Sequence, residues 1–165
     1  MLDVAAAGKL TTPQDVGGAA RRLLADPRAV DGIRSFHRQW LDLCELDTRL
    51  KDPVLYPAFT PELKRAIVEE TLRFSAHAVL EGGDTVATLL TSSRTFVNAP
   101  LAKLYGVAPP AGDGFALVDL PPRERAGLLT QASVMAVLAG VEEASPILRG
   151  KFVRPTIAKR VRSPA

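Results

Sequence analysis

The stretch T-P-E-L-K-R-A-I-V-E-E-T-L-R-F-S-A-H-A-V-L-E-G-G, residues 60–83, decides the fold. Thr60 offers a side-chain oxygen to an orphan backbone N–H, and Pro61 suits the first helical position, where its missing N–H has no partner anyway. Leu63, Ile67, Phe74 and Ala78 then share one helical face, widened by Ala66 and Leu72. Glu69 and Arg73 stand at i,i+4 in the favourable order for pairing. Gly82-Gly83 stops the run. The spacing predicts a helix over 61–80 and a mainly α, bundle-like protein around it.

The same start signal recurs at Thr12-Pro13, Asp26-Pro27, Asp52-Pro53 and Ser145-Pro146. Asp15, three residues after Thr12, approximates a capping box. Helices are expected over 13–25 and 27–46, the second with Ile33, Phe36, His37, Trp40, Leu43 and Cys44 on its apolar face. A short helix is expected over 85–91. Residues 94–98 read as extended, and Asn98 caps a helix through Tyr105 that Gly106 ends in a left-handed turn.

The run A-P-P-A-G-D-G, residues 108–114, is the strongest boundary signal in the chain. It divides a helical domain, 1–107, from a second small α/β segment, 115–165, read as incomplete. Phe115 to Leu120 reads as a strand, with Arg125 to Leu129 as its expected partner in a small β-hairpin after residue 114. Thr130 is expected to cap a helix to about Leu138, stopped by Gly140. A last helix should start at Pro146 and fail near Pro155.

Composition agrees with a packed helical core. Of the 165 residues, 47% are hydrophobic and 24% charged, so a core can be buried; at 5% aromatic, it is built mostly of Leu, Val and Ala. The net charge of +3 is unevenly placed. Arg149, Lys151, Arg154, Lys159, Arg160 and Arg162 follow Pro146 with no acid among them, which leaves −3 on the first 145 residues. Such a tail suits nucleic acid or anionic lipid, but a solvated end is the commoner outcome, so nucleic acid is not the expected partner. The single cysteine, Cys44, allows no internal disulfide and is expected to be a buried small hydrophobe. The haem-attachment pattern C-x-x-C-H is absent. No apolar run is long enough to span a membrane, and no signal peptide is visible at the N-terminus.

Seven strings stand out in order: L-L-A-D-P-R-A (23–29), F-H-R-Q-W-L (36–41), E-E-T (69–71) with Phe74, T-F-V-N (95–98), L-Y-G-V (104–107), R-A-G-L-L-T-Q-A-S-V (125–134) and S-P-I-L-R-G-K-F-V (145–153). Together, from about Leu2 to Arg154, they resemble a pair of adjoining domains of unknown function. Those domains occur in large exported proteins of planctomycetes and myxobacteria, grouped with planctomycete-type cytochrome c. The resemblance implies a mostly helical fold and an extracytoplasmic setting. It also implies a parent chain whose other domains are the partners, a c-type haem domain among them, with no cofactor in this segment. It supplies no catalytic residues to carry over. The parent proteins begin earlier and continue past the last string, so the chain is expected to be a fragment.

The residues themselves offer few sites. His37 and Trp40, one turn apart, are candidates for facing a haem or ligand; the competing reading is a core histidine bonded to a carbonyl beside tryptophan. His37, Glu70 and His77 are the candidates for a two-His-plus-carboxylate metal site, although Glu70 and His77 lie about 10 Å apart along one helix. Arg149 and Lys151 near a helix start are candidates for anion binding, against a reading in which Gly150 allows close packing and the cations face water. Thr130 and Ser133 form no nucleophile elbow, and no catalytic residue is assigned. The expectation is a structural and interaction module without catalysis of its own. The alternatives are part of an extracytoplasmic enzyme acting on a polymer or electron carrier, and a nucleic-acid binder working through the basic tail.

Overall fold

The computed structural model describes residues 2–153 except Asp84 and Pro122, and the backbone alone at Leu2 and Asp3. The residues of the basic tail beyond 153, and the expected helix end near Pro155, lie outside the described residues. The order is α1 (Leu2–Ala6), α2 (Pro13–Leu24), α3 (Ala29–Trp40), α4 (Glu45–Thr48), α5 (Pro61–Leu80), α6 (Thr85–Thr91), β1 (Arg94–Val97), α7 (Ala99–Tyr105), β2 (Ala116–Asp119), a 3-10 turn (Leu128–Thr130), α8 (Ala132–Val137) and α9 (Pro146–Phe152). The fold is mainly α with one two-stranded antiparallel sheet. Among the described residues no helix is long and apolar enough to cross a membrane.

Capping chemistry sets the helix starts. Thr12 and Asp15 form a reciprocal capping box on α2. Thr60, Asn98 and Ser145 each accept a backbone N–H three residues on, at 3.3 Å. Gly106, at φ 68°, ends α7 in the left-handed turn. Asp52 caps too, accepting from the N–H groups of Val54 and Leu55, but only a single turn follows.

Helix α5 is the centre. The expected face is buried, and so are Val68, Glu70, Thr71, Ser75 and Ala76. A helix covered this fully must be packed on most sides, and α3, α6, α7, α8 and β1 all pack on it. Glu69 on its open side binds both Arg73, as its spacing predicts, and Arg34 of α3.

Three expectations need correction. The helix expected over 27–46 is broken: α3 ends at Trp40, and Asp42 takes a left-handed φ of 51°. That twist changes the phase, so Leu41, Leu43 and Leu46 point inward while Cys44 is exposed and Phe36 stays 58% exposed. The partner of the strand after residue 114 is not 125–129. β2 pairs with β1 in the register Arg94↔Asp119 to Val97↔Ala116, and 128–130 coils into the 3-10 turn. Thr130 does not cap α8. Its hydroxyl accepts from the Ala126 N–H and donates to the Gly127 carbonyl, folding the turn ahead of the helix.

The chain beyond 108–114 returns to the same core. Leu128, Val134 and Val137 cluster with Leu63, Ile67, Phe74 and Leu101. An isolated two-stranded ladder is marginal in water. Here β1 gives Val97 and β2 gives Val118 to that shared core.

Candidate functional site

A carboxylate on the apolar side of a core helix must find donors or give up its charge. Glu70 is 0% exposed. It finds them on two neighbouring elements. The Thr95 hydroxyl of β1 donates to Oε1 at 2.8 Å, and the Tyr105 hydroxyl at the end of α7 donates to Oε2 at 2.7 Å. Gln131, ahead of α8, donates through Nε2 to the Thr95 hydroxyl at 3.4 Å. The Tyr105 oxygen also accepts from the Ala132 N–H at 3.3 Å. The Arg125 guanidinium lies over the Tyr105 ring, 4.9 Å from its centroid, and donates to the Thr130 carbonyl.

Burial governs the electrostatics. It pushes the Glu70 carboxyl up to about 7, against the two hydroxyl donors and the positive charge of Arg125, which pull it down. Burial first, then the charge and hydrogen bond of Glu70, raise the Tyr105 phenol above its ordinary range. A carboxyl near neutrality is chemically suited to proton transfer. This one has no room for a substrate: the space beside it, bounded by Ser92, Thr95, Arg125, Gly127 and Gln131, is about 10 Å³. That is near the least space a single water needs. The lid over it is tight, since the Gly127 N–H donates to the Ser92 carbonyl at 2.7 Å and the Leu120 N–H to Ser93 at 2.9 Å.

The other candidates fall elsewhere. His37 is buried, and its Nδ1 donates to the Ile33 carbonyl at 2.8 Å. Its ring meets Phe36 and Trp40 edge-on, at 5.1 and 5.8 Å. Burial lowers its pKa against that carbonyl bond. His77 sits 3.0 Å from Glu81 and edge-on to Phe96. Among the described residues no group of three or more His, Cys, Asp or Glu is placed to hold a metal ion. The structure therefore does not bring His37, Glu70 and His77 together. Arg149 contacts the Met135 sulfur at 3.6 Å, Lys151 is exposed, and a Cβ on Gly150 would meet open space, so Gly150 serves no close packing.

Sequence reasoning named Glu70 but not Thr95, Tyr105, Arg125 or Gln131. A signal for the cluster was present: Glu70 lies three residues after Ile67 and four before Phe74, on the buried face, where a carboxylate demands donors from whatever packs against it. The positions of those donors are tertiary and carry no local pattern.

No curated protein matches the chain, and no solved structure does. Residues 1–107 match the family described as "PSD4: Protein of unknown function (DUF1592)", a stretch that holds α1 to α7 with Glu70, Thr95 and Tyr105 and ends where the 108–114 boundary begins. With well over half its length matched, the chain belongs to that family.

Proposed function

We propose that this chain is a structural and interaction module of a larger exported protein, docking against another part of its parent and doing no chemistry of its own. One observation carries the reading: the N-terminal helices leave an apolar face uncovered. Val16, Leu23 and Leu24 lie on one side of α2 and are 51%, 47% and 49% exposed, and on α3 Val30 and Phe36 are 37% and 58% exposed. Helix α2 buries only Ala19. A helix with an apolar stripe is normally held by burying that stripe, and contiguous exposed apolar surface marks an interaction site. The sealing of Glu70 supports the same reading, because its carboxyl, pushed up to about 7 by burial, is out of reach of substrate. The parent's c-type haem domain, in an extracytoplasmic setting, is the partner that the sequence resemblance suggests.

The test is light scattering on the purified chain across a concentration series. Self-association through the uncovered face, abolished in a folded Val16→Glu, Leu23→Glu double variant, supports the module. A monomer at every concentration, with a melt unaffected by those changes, counts against it.

A further inference from the structure

A second concavity, about 300 Å³, opens between the 51–59 segment and α8. Its floor is Leu63 and Ile67 of α5. Ala132, Ala136, Ala139 and Ala144 line it, and their small side chains leave the space that larger residues would fill. Its rim is tied in place. The Lys51 ammonium donates to the Gly140 carbonyl, the Asp52 N–H to Val141 at 3.1 Å, and the Tyr56 hydroxyl to the Glu142 carbonyl at 2.8 Å. A cleft held open by such ties spends little ordering entropy on binding.

Charge selects the occupant. Lys51 and Arg125 both line this apolar cleft, and among the described residues no carboxylate does. Neither cation forms an ion pair with any described carboxylate. Burial, then the like charge of Arg49, lowers the Lys51 pKa, so its charged form gains from an incoming anion. The tail of this chain is a poor occupant, because Arg154, Lys159, Arg160 and Arg162 would bring more positive charge.

We infer that this cleft binds a small aliphatic carboxylate, its chain over Leu63 and Ile67 among the alanines and its head group between Lys51 and Arg125. The site is separate from the uncovered face of α2 and α3, so either assignment stands without the other.

Titration calorimetry of the full chain with octanoate tests it, with octanol and octyltrimethylammonium as the neutral and cationic counterparts. Octanoate binds one to one, and both counterparts bind roughly tenfold or more weakly. Ala136→Leu fills the cleft and removes binding; Lys51→Gln weakens it by roughly tenfold. The comparison of head groups uses the unaltered chain, so it decides the matter even if a variant fails to fold. Absence of octanoate binding, equal binding of octanol, or undiminished binding by a folded Ala136→Leu overturns the proposal. So does a dimer that Ala136→Leu dissociates without any octanoate binding, which would make a second copy the occupant. Binding that appears only after residues 155–165 are removed overturns it as well, in favour of the tail.

Discussion

The Tyr105 hydroxyl donates to the Glu70 carboxylate at 2.7 Å and so ties the end of α7 to the middle of α5 inside the core. Both groups are costly to bury alone. Together with Thr95 they satisfy one another, and the positions of β1, α7 and the segment before α8 are coupled through a single side chain. Such a network rigidifies when complete and destabilises when broken.

The contribution of Glu70 to stability should fall as pH rises from about 4.5 to about 7. Burial pushes its carboxyl up to about 7 in the fold, from 4.5 in the unfolded chain. Between those values the native state holds a proton that the unfolded chain has released. The contribution is therefore fully present below about 4.5 and lost as pH climbs through about 7. Glu70→Gln keeps the shape and removes the titration. In urea melts the variant should match the parent near pH 4.5 and exceed it by up to about 3 kcal/mol above pH 7. A constant difference across that range would show that Glu70 does not titrate there.

Tyr105→Phe should cost roughly 1–3 kcal/mol, since it strips a donor from Glu70 and an acceptor from the Ala132 N–H while leaving the ring under Arg125. It should also move the pH window. The lost bond stabilises the charged carboxylate, so without it the Glu70 pKa rises further and the decline in stability extends to higher pH. The same urea series, repeated on the variant, reads both effects. An unshifted window would mean that the Tyr105 bond does not favour the ionised form.

Legibility in the sequence followed the range of the interaction. The 61–80 helix, the Thr12 capping box and the Asn98-to-Gly106 helix are encoded within a few residues, and each appears at its expected place. The break after Trp40 was hidden because Asp42 has no Gly or Pro to announce its left-handed turn. The β1–β2 pairing was hidden because the two strands are separated by α7 and the 108–114 run, while a nearer candidate partner stood at 125–129. Local patterns revealed Glu70 as a polar residue on α5, but the hydroxyls that hold it are brought in by the packing of β1 and α7.

Thr71 and Ser133 give a direct test of the contact between α5 and α8. Their hydroxyls share a hydrogen bond of 2.5 Å, and both residues are 0% exposed. Thr71→Val removes one partner and leaves the Ser133 hydroxyl buried without it, at a cost of roughly 1–3 kcal/mol. Thr71→Val with Ser133→Ala removes both polar groups and should recover much of that loss. Additive costs in the double-mutant cycle would mean that the two hydroxyls are not coupled.

Gly127 and Gly106 both adopt positive φ, at 61° and 68°, but only one is enclosed. A Cβ on Gly106 would meet nothing within 4 Å, so Gly106→Ala carries only the left-handed backbone cost of roughly 1–2 kcal/mol. A Cβ on Gly127 would lie 2.3 Å from the Leu90 carbonyl carbon and 2.4 Å from its oxygen, and backbone at the end of α6 cannot step aside as a side chain can. Gly127→Ala must also strain the bond from its own N–H to Ser92, which seals the space beside Glu70. It should cost more than about 4 kcal/mol, in the range reserved for forced backbone displacement in a core. It should also admit water to Glu70 and bring its pKa back toward the ordinary carboxylate range. Thermal melts of the two variants should separate widely. Equal losses would show that the approach of Gly127 to Leu90 is not the constraint that closes this side of the core.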